Sequence, residues 1–277
     1  MVAAEKRRLR EAGGSILALL AVVFFGLLGT PGCLTTTSSE PKVDPIALAA
    51  AVRDVGLDQL RQGNNAMAVR KLREAELGNP ADPLTYAGLG EAFRRKGHLE
   101  EAEKNLRQSL ELSSDVHAED YQRAALTLAV VYIQMQRYPE AEVLCQSLID
   151  DPTYAQPWEA LTNLGWAQFK SGRFQEARAS YDEALDFRSS YVRARFNLGI
   201  LDQEQGRWMA AIRQFELALE RAQMGPEAVA EANFRLGEIY MTLGRRDRAL
   251  DHFRAAAEES PDGEWGEQSQ SYLELLL

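Results

Sequence analysis

Side chains that could carry covalent, acid–base or metal chemistry are sparse along this 277-residue chain. There are two cysteines, Cys33 and Cys145, and three histidines, His98, His117 and His252. No two histidines stand three or four residues apart, the spacing that presents two metal ligands on one helical face. The cysteines are too far apart in the sequence for a Cys-x-x-Cys motif. The sequence therefore predicts no catalytic residue, no metal site, no cofactor and no small-molecule substrate.

Cys33 has the most informative surroundings, because a short apolar segment ends just before it. Basic residues within 6–10 precede an apolar run at 15–28, whose 14 residues are fewer than the roughly 20 that a membrane-spanning helix needs. That length is typical of the apolar region of a secretory signal peptide. A polar Thr/Ser run follows Cys33 and has no apolar face to bury, so it is expected to be flexible.

The position of Cys33 resembles the bacterial lipobox, in which a small residue precedes a cysteine that is diacylated and becomes the mature N-terminus. Gly32 fits this pattern, whereas Thr30 and Pro31 stand where it usually has Leu and a small residue. Lipidation of Cys33 is therefore predicted. An uncleaved signal anchor and ordinary secretion are the alternatives.

The lipobox resemblance implies a lipoprotein signal peptide at 1–32 and a flexible tether at 33–46 that begins with the lipidated Cys33. Because Leu34 rather than Asp follows the cysteine, the resemblance to enterobacterial sorting rules implies the outer membrane. We therefore expect the protein to be lipid-anchored at the periplasmic face of that membrane.

The charge balance argues against a nucleic-acid partner. The chain has 31 Lys and Arg against 41 Asp and Glu, a net charge of −10. Binding to phosphate backbones depends on clusters of basic residues, which are short and flanked by acids in this sequence.

Most of the chain repeats one pattern of small residues. Each copy has a Gly or Ala in its first helix, usually a Gly seven residues later, an Ala five residues after that, and then a large apolar residue or Cys145. The second glycine is expected to end the first helix in a left-handed turn, and the third copy has Gln136 there. The copies begin near Ala49, Pro83, Gln122, Trp158, Val192 and Ala230.

This pattern resembles the tetratricopeptide repeat, a helix–turn–helix unit of about 34 residues. The resemblance implies an all-α superhelix, or α-solenoid, with six repeats over 47–263. It also implies a C-terminal capping helix at 264–277, because the last repeat would otherwise expose an apolar face. At its core position Cys145 is expected to be a small buried apolar residue rather than a reactive thiol.

The first helices of such repeats line a groove, and their apolar positions predict where a protein partner binds. The predicted groove residues are Val130, Ile133, Trp166, Phe169, Phe196, Ile200 and Phe234. An alternative is that these side chains belong to the core, as apolar residues at helical spacing usually do. The sequence leaves open whether the C-terminal helix fills the groove. A clamp for the acidic tails of chaperones is not expected, because its lysines are missing.

A narrower resemblance involves Asp150–Ala177, DDPTYAQPWEALTNLGWAQFKSGRFQEA. This stretch is similar to the segment D-P-x-Y-x-x-P-x-x-A-x-x-N-x-G of the PilF/PilW/Tgl lipoproteins, the pilotins of type IV pili. The resemblance implies a non-enzymatic adaptor that binds secretin subunits and promotes their outer-membrane targeting and assembly, which supports pilus biogenesis and motility. The alternative is a repeat scaffold that recruits cell-wall hydrolases or other envelope complexes.

Lipidation predicts that Cys33→Ser abolishes incorporation of labelled palmitate and releases the protein from the membrane fraction. Two or three acyl chains anchor a protein stably, whereas one chain holds only marginally. Cys145→Ser is the control and should keep the label, because a buried thiol is not a lipid acceptor. Labelling that persists in Cys33→Ser would contradict the prediction.

Overall fold

The computed structural model describes residues 44–220 and 224–276, and the regular structure in these ranges is α-helical. The predicted signal peptide, Cys33 and most of the predicted tether lie outside the described residues. Thirteen helices follow one another in the described ranges: α1 (Pro45–Arg61), α2 (Asn65–Gly78), α3 (Pro83–Arg95), α4 (Leu99–Leu112), α5 (Glu119–Gln134), α6 (Tyr138–Ile149), α7 (Pro157–Lys170), α8 (Phe174–Phe187), α9 (Val192–Glu204), α10 (Trp208–Leu219), α11 (Pro226–Thr242), α12 (Arg246–Glu259) and α13 (Glu264–Leu276).

The first twelve helices form six consecutive helix–turn–helix pairs, and each pair packs against the next. The last helix, α13, packs against both α12 and α11 and so covers the end of the row. The all-α superhelix of six repeats with a C-terminal capping helix, predicted from the sequence, is thus confirmed. Within the described ranges, none of the helices combines the length and apolar character needed to cross a membrane.

The first helix begins two residues before the predicted start of the repeats. Asp44 caps it, because a carboxylate oxygen accepts a hydrogen bond from the Ile46 backbone N–H at 3.0 Å. Pro45 occupies the first helical turn, where its missing N–H costs nothing. The predicted tether therefore gives way to helix at Pro45.

Small residues let the two helices of each pair approach closely. A Cβ added to Gly90 in α3 would lie 2.4 Å from Cγ of Leu106 in α4, and one added to Gly237 in α11 would lie 2.6 Å from a ring carbon of Phe253 in α12. Both large side chains are fully buried. The same positions of the other repeats hold Leu72, Cys145, Tyr181 and Phe215, all fully buried.

Cys145 is one of these fully buried residues, as predicted. Burial raises the pKa of its thiol to about 12. The thiol therefore stays protonated and unreactive at neutral pH, because the thiolate is the nucleophilic form.

Each first helix ends in a left-handed residue that reverses the chain. Five of these residues are glycines, with φ between 70° and 81°. The third repeat has Gln136 instead, with φ of 60°, so the turn that the sequence marked as atypical keeps the geometry of the others. A side chain in this conformation costs free energy that a glycine would not.

Gln136→Gly should therefore stabilise the protein by about 1 kcal/mol, because the left-handed penalty of roughly 1–2 kcal/mol exceeds the backbone entropy that glycine loses on folding. For a chain of this size, that gain raises Tm by about 2–4 °C in a thermal melt followed by circular dichroism.

The matched control is Gln146→Gly in α6, where an exposed helical glutamine is replaced. That change should cost up to about 1 kcal/mol, since glycine disfavours a helix interior. A lower Tm for Gln136→Gly would show that its side chain stabilises the turn by some other contact.

Candidate partner-binding groove

A cavity of about 680 Å³ opens between the first helices of the N-terminal repeats. Its apolar lining comes mainly from three helices, α1, α3 and α5. The apolar side chains that line it are Leu57, Leu60, Leu84, Ala87, Ala124, Leu126 and Val130. This size is in the range of sites that hold part of a peptide or a small molecule.

Arginines surround this apolar lining. The cationic residues at the cavity are Arg61, Arg94, Arg95, Arg123 and Arg193, and the one acidic residue of its lining is Glu91. Arg94 and Arg95 each donate an Nε–H to Glu91 at 2.6 Å. Burial alone would raise the pKa of Glu91, but the hydrogen bonds from the two arginines outweigh it and hold the pKa below its usual value. Glu91 is therefore ionised and already neutralised by these two arginines.

A second cavity of about 220 Å³ continues the groove towards α7 and α9. Val130, Asn163 and Arg193 line both cavities, and Ile133, Trp166 and Asn197 complete the second one. The Asn163 side chain is 6% exposed. Within the described part of the chain, it has no hydrogen-bond partner. Because Asn163 lines both cavities, its amide can form hydrogen bonds with a ligand there.

The loop before α7 is held by Asp151, the first residue of the D-P-x-Y segment. Its carboxylate accepts hydrogen bonds from the Thr153 backbone N–H at 2.9 Å and from Gln122 Nε2 at 2.8 Å. The imidazole of His117, 3.0 Å away, and the Thr153 groups hold the pKa of Asp151 well below its usual value. These bonds tie α5 to the loop that leads into α7.

Three of the predicted groove residues line a cavity: Val130, Ile133 and Trp166. Phe169 and Phe196 are half-buried, pack against the C-terminal core and line neither of the two cavities. Ile200 and Phe234 are 5% and 4% exposed, so the prediction that they line an open groove is wrong.

The position of α13 explains the burial of Phe234. Ring centroids of Phe253, Trp265 and Tyr272 lie 5.8, 5.2 and 5.6 Å from that of Phe234. Two of these rings belong to α13, which packs where the first helix of a further repeat would lie. The C-terminal helix therefore covers the open face of the last repeat, whereas the two cavities lie along α1, α3, α5, α7 and α9.

The arginines of the cavity were absent from the predicted site, although the sequence holds a signal for them. Arg123, Leu126, Thr127 and Val130 follow the spacing i, i+3, i+4, i+7 along α5, which places them on one helical face. Extending the apolar stripe by one turn towards the N-terminus would have included Arg123.

Among the described residues, no group of three or more His, Cys, Asp or Glu side chains could hold a metal ion. The stacked helix pairs and their groove define an α-solenoid. Repeat proteins of this class present extended binding surfaces.

The chain belongs to the tetratricopeptide-repeat family. The family described as "Tetratricopeptide repeat" matches residues 54–117, 88–155 and 196–264, and a second, described as "TPR repeat", matches 165–206. No curated protein sequence matches the chain.

Solved structures share this fold. PilW, described as a widely conserved type IV pilus biogenesis factor, superposes with a TM-score of 0.68 at 19% identity, covering 80% of this chain and 97% of PilW. PilF of Pseudomonas aeruginosa gives a TM-score of 0.64 at 18% identity over 82% of this chain and 99% of PilF. The Cut9–Hcn1 hetero-tetramer of the APC/C gives 0.69 at 17% identity over 83% of this chain, but over only 43% of the matched one. At these identities the likeness shows the fold.

The two ends of the predicted groove should respond differently to truncation. Phe234→Ala should cost about 3–5 kcal/mol of folding free energy, as expected for a buried Phe. Val130→Ala should cost about 1 kcal/mol, because this side chain is only half-buried at the cavity wall. Urea unfolding of both variants, followed by circular dichroism, measures the difference. Equal losses would contradict the distinction between core and groove.

Proposed function

We propose that this protein is a non-enzymatic, lipid-anchored adaptor of the outer membrane that binds secretin subunits of a type IV pilus and promotes their assembly. The observation that carries the proposal is the end-to-end correspondence with two pilus proteins. This chain covers 97% of PilW and 99% of PilF, with TM-scores of 0.68 and 0.64, so the shared fold extends over nearly the whole of both proteins.

The groove supplies a physical basis for this role. Secretin subunits expose apolar surface before they assemble, and the cavity between α1, α3 and α5 has an apolar lining that can cover such surface. Burial of apolar area contributes about 25 cal/mol per Å², so even a short segment gains appreciable binding free energy there.

Lipidation at Cys33 adds to this basis, since it would hold the adaptor at the membrane where the secretin assembles. A membrane tether raises the effective concentration of the adaptor near the secretin subunit, so a moderate affinity for the subunit suffices. The groove and the tether therefore act together: the first selects the subunit, and the second brings it to the membrane.

The proposal predicts that deletion of the gene removes the heat-stable secretin multimer while the monomer is still made. Unheated electrophoresis followed by blotting for the secretin measures both species. The wild-type gene should restore the multimer. A normal multimer in the deletion strain would overturn the proposal, and co-purification of cell-wall hydrolases would then favour an envelope scaffold instead.

The same assay tests the groove with the variant Val130→Glu, which places a charge in the cavity wall. This variant should fail to restore the secretin multimer in the deletion strain. Val143→Glu is the matched control, because Val143 is 69% exposed on α6 and lines neither cavity. Thermal melts establish that both variants fold. Restoration by Val130→Glu would remove the groove from the mechanism.

A further inference from the structure

The cavity concentrates positive charge in a protein that is acidic as a whole. The chain carries a net charge of −10, yet five arginines and a single glutamate line the larger cavity. Asp58, Glu119 and Asp120 pair with Arg61 and Arg123, so the five arginines exceed the four carboxylates that they contact by one positive charge. Such a local excess at an apolar cavity favours anionic partners over cationic ones, because potentials at an interface are complementary.

The arginines of the cavity differ in how strongly they are engaged. Arg94 and Arg95 hold Glu91, and Arg95 also donates to the backbone carbonyl of Leu60 at 2.9 Å. Arg193 has neither an ion pair nor a side-chain hydrogen bond among the described residues. It is therefore available to a ligand without losing a contact.

Two other arginines of the cavity have only local partners. Arg61 pairs with Asp58 at 3.2 Å, and Arg123 pairs with Asp120 and Glu119, in exposed ion pairs within one helix. Exposed pairs of this kind contribute little, about 0–1 kcal/mol. Both guanidinium groups can exchange these partners for a ligand carboxylate at small cost.

Asn163 adds a group that recognises a polypeptide rather than an isolated anion. The residue as a whole is 94% buried, lines both cavities and has no side-chain hydrogen bond within the described residues. A carboxamide offers one acceptor oxygen and two donor hydrogens, which match the N–H and C=O of an extended peptide main chain. Asn197 lines the second cavity one repeat further on.

We infer that the cavity binds an extended, acidic polypeptide segment that also carries large apolar side chains. The arginines, Arg123 and Arg193 above all, bind its carboxylates, Asn163 binds its main chain, and the leucines of α1 and α3 cover its apolar side chains. Guanidinium groups suit this task because they bind carboxylates through two parallel hydrogen bonds. The apolar lining disfavours nucleic acid, which would leave these leucines without a partner. The inference deepens the proposed function, in that it states the chemistry of the segment that the adaptor takes.

A peptide selection tests this inference. The full-length protein in detergent is incubated with a pool of short, end-blocked peptides that contain Asp, Glu, Lys, Arg, Gln, Ser, Leu and Phe in equal amounts, and the bound fraction is sequenced. We expect enrichment of Asp and Glu beside Leu and Phe, and depletion of Lys and Arg. Enrichment of basic residues, the absence of a charge preference or no binding at all would overturn the inference.

Arginine variants test whether the selected peptides bind in the cavity. Arg123→Gln and Arg193→Gln should each weaken binding of the best acidic peptide by roughly tenfold, as expected for the loss of one charge-assisted hydrogen bond. Arg213→Gln is the control, because this exposed arginine of α10 lines neither cavity. Equal affinities for all three variants would place the binding elsewhere.

The two proposals can fail separately. If the arginine variants no longer bind the peptide but still restore the secretin multimer, the cavity does not bind an acidic segment of the secretin during assembly. The adaptor role then stands. If the deletion strain keeps its multimer while the acidic preference is observed, the adaptor role is wrong and the chemistry of the cavity stands.

Discussion

The close approach of two helices within each repeat is the constraint on which the rest of the molecule depends. In five of the repeats a large side chain of the second helix packs against a glycine of the first helix. The two lie closer together than a Cβ at the glycine position would allow. These contacts are Gly56 with Leu72, Gly90 with Leu106, Gly165 with Tyr181, Gly199 with Phe215 and Gly237 with Phe253. Because each pair is fixed in this way, the first helices come to lie side by side and their remaining faces line one groove.

The groove is not uniform along this row of helices. Towards the C-terminus Phe169 and Phe196 pack against the core that includes Phe234, and Trp166 lies between this core and the second cavity. The rings of α13 then cover Phe234 itself. Towards the N-terminus the same faces carry leucines and arginines, and there a cavity of about 680 Å³ stays open. The C-terminal half of this surface therefore belongs to the core, whereas the N-terminal half leaves a cavity.

The sequence predicted the repeats, the turns and the buried small residues because each of these is a local requirement. A left-handed turn or a close helix contact restricts the residue at that position, so Gly97, which ends α3 with φ of 76°, and Gly90, which packs against Leu106, can be recognised from the chain alone. Gln136 is an exception in residue type, and its turn was predicted from its place in the repeat pattern alone.

The site was predicted only in part, because it depends on how neighbouring repeats are arranged. The position of Ile200 or Phe234 in its repeat indicates which way the side chain points, but not how closely the next helix covers it. For the same reason, the sequence pattern did not show that arginines from α1, α3, α5 and α9 meet at one cavity. Such convergence is a property of the superhelix rather than of any single repeat.

The central claim is that the N-terminal half of the groove holds the secretin, and site-specific photo-crosslinking in living cells tests it most directly. A benzophenone amino acid at Thr127, which lines the cavity, should crosslink to the secretin subunit, whereas the same group at the exposed Val143 of α6 should not. Crosslinks from both positions, or from Val143 alone, would contradict the account.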